Sequence, residues 1–168
     1  MNLKAYIKDV PDFPTQGILF KDISPLLANG KALRYVVEQM AQYAQDADVI
    51  VGPDARGFLF GTPVAAFLQK PFVMVRKEKK LPGEVIQRAY EFEYGINILE
   101  MQKGRIFPGQ KVVIIDDILA TGGTTKAIID LVESQGAQVL RVIFLLELLE
   151  LKGASKYTKT EIVSIIKT

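Results

Sequence analysis

The chain has 168 residues, and its 21 Lys+Arg against 19 Asp+Glu leave a formal charge of only +2. That length suits one domain with a full hydrophobic core, and the near-balance gives no footing for a nucleic-acid protein, whose binding face shows as a strong basic excess. Cys and His are both absent, which excludes disulfides, thiolate metal sites and Cys nucleophiles and removes the commonest general base and metal ligand.

Chemistry here must therefore run on carboxylates, Lys, Arg, hydroxyls and backbone. The N-terminal stretch MNLKAYIKDVPDFP has no apolar core of a secretory leader. No later run is long enough to span a bilayer, so a cytoplasmic protein without membrane attachment is expected.

In chain order, Gly30–Gln45 reads as a helix, because Leu33, Val36, Val37, Met40, Ala41 and Ala44 recur at the helical period. ADVIVGPD (Ala47–Asp54) is a short apolar strand. RGFLFGTPVAAFLQ (Arg56–Gln69) is helical with an uncertain start: Gly57 and Gly61 weaken a helix, and Pro63 fits best in a first turn. FVMVRK (Phe72–Lys77) is a second buried strand. From Leu81 to Met101 the pattern changes to alternation at period two, the mark of a hairpin or flap inserted between sheet strands. KVVIID (Lys111–Asp116) is a third buried strand, followed by a helix over Thr124–Gln135 with Gly136 as its closing residue. QVLRVIFLLEL is a fourth strand and EIVSII a fifth.

Continuous Val/Ile/Leu strands alternating with helices indicate an α/β fold, a mostly parallel twisted sheet with helices on both faces. Ligands of such sheets bind beyond the C-terminal ends of the strands. Three of those ends carry chemistry: GPDARG, RKEKK and DDILATGGTT. They should converge in one crevice.

ATGGTT follows a buried strand and opens a helix. Gly122 and Gly123 let backbone N–H groups turn inward, Thr121, Thr124 and Thr125 add hydroxyls, and the helix N-terminus adds partial positive charge. It matches neither the NTPase P-loop nor the dinucleotide glycine pattern. On the glycines and threonines alone, a phosphate cradle and a plain helix-capping turn fit equally well. Asp116 and Asp117 shift that balance. Paired carboxylates near a buried edge cost energy unless something answers them. A ribose 5-phosphate answers both halves, its phosphate in the loop and its 2′- and 3′-hydroxyls donating to the acids.

This strand, acid pair and ATGGTT loop resemble the phosphoribosyl-diphosphate (PRPP) motif of the type I phosphoribosyltransferases. VPDFPTQGILFKDISPLL (Val10–Leu27), DARGFLFGTPVA (Asp54–Ala65), and RKEKKLPG with YEFEYG (Arg76–Gly95) narrow the resemblance to members that act on adenine. The likeness runs from about Val10 to Glu150. It implies one domain over 1–168, with a small hood over about 1–30 and a flap over about 81–101. It also implies a reaction, adenine plus PRPP giving AMP and pyrophosphate.

By position, the resemblance assigns the 5-phosphate to Ala120, Thr121, Gly122, Gly123 and Thr124, and the ribose to Asp116 and Asp117. It gives the pyrophosphate to Ala55, Arg56, Arg76, Lys77 and Lys80, although RKEKK by itself reads as a solvated charged loop. It places adenine against Leu19, Phe20 and Lys21, of which Leu19 and Phe20 by themselves read as ordinary core residues. Lys21 stands where the family commonly has Arg, and a lysine lacks the planar fork of a guanidinium. Glu93, the acid of the flap's EYG, becomes the general base. Mg²⁺ is implied as an ion held mainly by PRPP, without a strong protein ligand, and the assembly as a homodimer. Another purine phosphoribosyltransferase, or a PRPP-binding regulator of the same fold, is the alternative.

Overall fold

A computed structural model describes the backbone of residues 1–92 and 95–168 and the side chains of residues 1–90 and 96–168. A 3-10 turn (Leu3–Tyr6) leads into an antiparallel ribbon of β1 (Lys8–Pro11) and β2 (Leu19–Asp22), which pairs Val10 with Phe20. A one-turn helix, α1 (Ser24–Leu27), precedes α2 (Gly30–Gln42), β3 (Val49–Pro53), α3 (Arg56–Leu68) and β4 (Phe72–Lys77). The hairpin of β5 (Val85–Phe92) and β6 (Gly95–Gln102) follows, then β7 (Lys111–Leu119), α4 (Gly123–Glu133) and β8 (Gln138–Glu147). Two 3-10 turns, Leu149–Leu151 and Gly153–Lys156, lead to β9 (Glu161–Lys167).

Among the described residues the main sheet runs β5-β6-β4-β3-β7-β8-β9. β4, β3, β7, β8 and β9 are parallel, and the hairpin adds antiparallel along β4. Its central strands β3, β7 and β8 are mostly apolar because both faces are covered. Val113, Ile115 and Ile50 face α2 and α3, while Val112, Ile114, Val49 and Val51 face α4. Successive residues of a strand point to opposite faces, so one run of Val and Ile supplies two cores. The expected mostly parallel α/β sheet is what forms.

Four local differences have physical causes. α2 is capped by the Asn29 side chain, which accepts the Ala32 N–H at 3.0 Å, a contact of the kind that contributes about 1 kcal/mol. It ends at Gln42 rather than Gln45, and the apolar period continues through successive i to i+3 turns that bury Ala44 and Ala47. α3 begins at Arg56 and carries Pro63 in its interior rather than its first turn. Packing overrides propensity there: Phe60 and Val64 are fully buried, and a Cβ on Gly61 would come 2.6 Å from the Phe72 ring. β7 outlasts the acids, since Ile118 and Leu119 continue its ladder with β8. α4 ends at Glu133, while Gly136, at φ +79°, still closes it by donating its N–H to the Glu133 carbonyl.

Candidate active site

β4, β3 and β7 are adjacent and parallel, so their C-terminal ends lie side by side. The three chemically loaded segments are therefore neighbours, as the strand order requires. Past β3 the chain turns through Asp54 and Ala55 into α3, and past β7 it turns through Ala120, Thr121 and Gly122 into α4.

The β7 turn forms a small concavity of about 130 Å³ lined by Asp116 and residues 118–125. Gly122 adopts φ +82°, a conformation that glycine reaches at no steric cost. The first N–H groups of α4 have no partner within the helix and present donors there. Two tyrosines meet this loop. Thr124 Oγ1 donates to Tyr90 Oη on β5 at 3.3 Å, and Tyr157 Oη donates to the Gly122 carbonyl.

Asp116 and Asp117 both meet the start of α3. Asp116 is partly buried, and its Oδ1 accepts the Asp117 N–H at 2.8 Å. α3 presses close beside it, because a Cβ on Gly57 would meet that same oxygen at 3.0 Å. Burial pushes the Asp116 carboxyl well above the ordinary carboxylate range, and the charge of Asp117 adds to the shift. Asp117, 6% exposed, is also raised by burial, while Arg56 pulls it back down. Nε of Arg56 lies 2.7 Å from Asp117 Oδ2, yet that oxygen accepts no hydrogen bond among the described residues. The charges touch without donor alignment. A buried acceptor left in that state is costly and ready for a hydroxyl donor.

Arg56 also reaches the other way. Its guanidinium sits 5.2 Å from the centroid of the Phe20 ring, a cation–π distance. Phe20 in turn meets the ring of Phe13 edge-on at 5.1 Å. Both rings line a mainly apolar cleft of about 520 Å³ with Val10, Leu27, Leu59 and Arg56, a volume within the range of small-molecule sites. One guanidinium thus joins the acid pair to the apolar cleft.

The structure brings together part of the expected set. Ala120–Thr124, Asp116, Asp117, Ala55, Arg56 and Phe20 share this end of the sheet. Among the three residues assigned to the base, only Phe20 turns its side chain into the cleft. Alternation along β2 sends Leu19 and Lys21 to the other face. Leu19 is half exposed, and the Lys21 ammonium is engaged by Asp9 at 2.8 Å. Of Lys21, only the main chain is left for a ligand in the cleft. Arg76 is held by Asp54 at 2.9 Å and by the Lys80 carbonyl at 3.1 Å, which ties the end of β4 to the turn after β3. Lys77 and Lys80 stand exposed beyond β4. Glu93 lies outside the described residues.

Sequence reasoning missed the roles of Tyr157, Asp54 and the Tyr90 hydroxyl. None sits in a recognisable spacing with its partner: Tyr157 and Gly122 are 35 positions apart, and the pairing of β7 with β8 sets the turns that carry them side by side.

Comparison with known proteins places the chain in a family. The phosphoribosyl transferase domain family matches residues 22–168. An adenine phosphoribosyltransferase of Mycoplasmopsis pulmonis is 68% identical over 167 residues, covering 99% of this chain and 98% of that protein. The crystal structure of adenine phosphoribosyltransferase from Thermoanaerobacter pseudethanolicus superposes with a TM-score of 0.94 at 48% identity, covering 99% and 98% of the two chains. A Giardia lamblia enzyme crystallised with 9-deazaadenine gives a TM-score of 0.93 at 38% identity, covering 99% and 96%.

Proposed function

We infer, for a chain that belongs to the phosphoribosyl transferase family, that its site transfers the phosphoribosyl group of PRPP to adenine, giving AMP and pyrophosphate. The activity follows from relatives named as adenine phosphoribosyltransferases across the whole chain. The observation that carries the site assignment is the unsatisfied, buried Asp117 oxygen at the foot of a glycine-lined loop. Such a pair suits a molecule that is an anion at one end and an alcohol at the other.

In this reading the loop Ala120–Thr124 receives the 5-phosphate on backbone N–H groups, the Thr121 and Thr124 hydroxyls and the α4 N-terminus. Asp116 and Asp117 accept from the 2′- and 3′-hydroxyls. The sugar keeps carboxylates and phosphate apart, which is why both charges can stand in one crevice. The turn at Ala55 and Arg56 receives the diphosphate, with Arg76, Lys77 and Lys80 adding positive charge from the end of β4. Adenine packs on Phe20 in the apolar cleft, and its polar edge is read by backbone of Leu19–Lys21. Because Lys21 contributes no side chain to that cleft, its replacement of the family's Arg leaves these contacts intact.

As N9 of adenine forms its bond to C1 of the ribose, the C1–oxygen bond to pyrophosphate breaks and the electron pair leaves with that oxygen. The ribosyl centre passes through an oxocarbenium-like state. Glu93 takes the N9 proton, because a chain without His offers a carboxylate as its natural base. The protein otherwise orients and neutralises.

Mg²⁺ would be held mainly by PRPP, since no cluster of three or more acids that could hold a metal stands among the described residues. When bound, such an ion neutralises charge on the diphosphate and ribose oxygens. A homodimer is proposed on the resemblance to the family. No helix among the described residues is long and apolar enough to cross a membrane, and a cytoplasmic setting is proposed.

The test is an assay with PRPP, Mg²⁺ and adenine, hypoxanthine, guanine or xanthine in competition. Adenine alone should yield a nucleoside monophosphate at a substantial rate. Preferred use of an oxo-purine would overturn the assignment.

A further inference from the structure

We propose that Tyr157 is a positioning residue for the 5-phosphate: it acts through the loop carbonyl it holds rather than by touching substrate. The inference rests on the reading that the Ala120–Thr124 loop takes the phosphate.

Its hydroxyl donates to the Gly122 carbonyl. That same carbonyl accepts the Lys126 N–H at 3.1 Å, the first hydrogen bond of α4. Across a trans peptide the carbonyl and the following N–H point in opposite directions. Pinning the Gly122 carbonyl toward Tyr157 therefore aims the Gly123 N–H the other way, toward the mouth of the loop. This is one of the free donors at the start of α4 that an anion would meet.

Close packing makes the arrangement specific. A Cβ on Gly122 would lie 2.7 Å from Tyr157 Oη and 3.2 Å from its Cε2. Gly122 is thus required twice, for its positive φ and for the space the phenol occupies. The same C-terminal segment grips the start of the loop as well, since a Cβ on Gly153 would lie only 2.1 Å from the Ala120 carbonyl oxygen. The turn Gly153–Lys156 and Tyr157 together clasp both ends of the cradle. The Tyr157 ring packs against the apolar cluster beneath α4, which fixes where its hydroxyl points.

Tyr90 provides the contrast. It meets the Thr124 hydroxyl, a group assigned to the phosphate, whereas Tyr157 meets a carbonyl that an anion would avoid. The loss of the Tyr157 hydroxyl leaves the Gly122 carbonyl still satisfied by Lys126, so the fold need not suffer. What is lost is the second restraint on the peptide that presents a donor to the phosphate.

The test uses Tyr157→Phe in the full chain, with Tyr157→Leu as a second variant lacking the same hydroxyl. Titration calorimetry measures ribose 5-phosphate and inorganic pyrophosphate separately, and initial rates give KM for each substrate. Affinity for ribose 5-phosphate should fall about five- to tenfold, the scale of one net hydrogen bond. Pyrophosphate affinity and KM for adenine should stay as in wild type while KM for PRPP rises. Unchanged ribose 5-phosphate affinity in both variants would overturn the role of Tyr157 alone. Equal weakening of both ligands would mark a general disturbance and also overturn it. Failure of the unaltered enzyme to bind ribose 5-phosphate would instead remove the reading on which it rests.

Discussion

Turnover of the Glu93→Gln variant falls by ~10²-fold, the lower end of what a positioned general base supplies, while affinity for PRPP stays as in wild type. Gln keeps the size and hydrogen bonding of the side chain but takes no proton. The expectation follows from the resemblance of EYG to the family's flap motif, which makes its acid the general base. The chain has no His and no Cys, Asp54 is paired with Arg76, and Asp116 and Asp117 are assigned to the ribose hydroxyls. Glu93 follows β5 in sequence, three positions after Tyr90, whose hydroxyl meets Thr124. Pre-steady-state quench of a single turnover checks it, since release of products then cannot mask the chemical step. An unchanged single-turnover rate would remove Glu93 from the reaction.

Asp116→Asn is expected to do two opposite things. PRPP affinity falls about tenfold, because a hydroxyl loses a charged acceptor and keeps a neutral one. The empty protein, however, becomes more stable at neutral pH by about 1 kcal/mol, a common gain when a strained site residue is relieved. Burial raises both Asp116 and Asp117 above their ordinary values. A carboxyl raised in the folded chain binds its proton more tightly there than when unfolded. The stability it lends is complete below the unfolded carboxylate range, near pH ~4, and is lost as pH rises through the folded value. Wild type should therefore lose ground to Asp116→Asn between pH 4 and pH 8 in urea denaturation. A wild type that gains on the variant over that window would contradict the electrostatic account of the pair.

The architecture was legible because its signals are local and repeated. Uninterrupted Val112–Ile115 announces a strand covered on both faces, and Val36, Val37 and Met40 mark the buried stripe of α2. The glycines and acids of DDILATGGTT were legible for a different reason: each residue type answers a specific chemical need. What could not be read are pairings set by the fold. Arg56 looks like a pyrophosphate ligand in sequence, and in the structure it also meets Asp117 and the Phe20 ring. Lys21 sits beside Phe20 in the chain, yet β2 alternation turns it to Asp9. Pro63 argues for a helix start, and packing around Phe60, Gly61 and Phe72 carries the helix through it. At Pro63 a tertiary contact wins over a local preference.

The most direct test is a crystal structure of the enzyme with AMP bound. The account predicts phosphate oxygens on the Ala120–Thr124 backbone, ribose hydroxyls on Asp116 and Asp117, and the purine against Phe20. A nucleotide seated elsewhere, or one whose phosphate leaves that loop vacant, would contradict it.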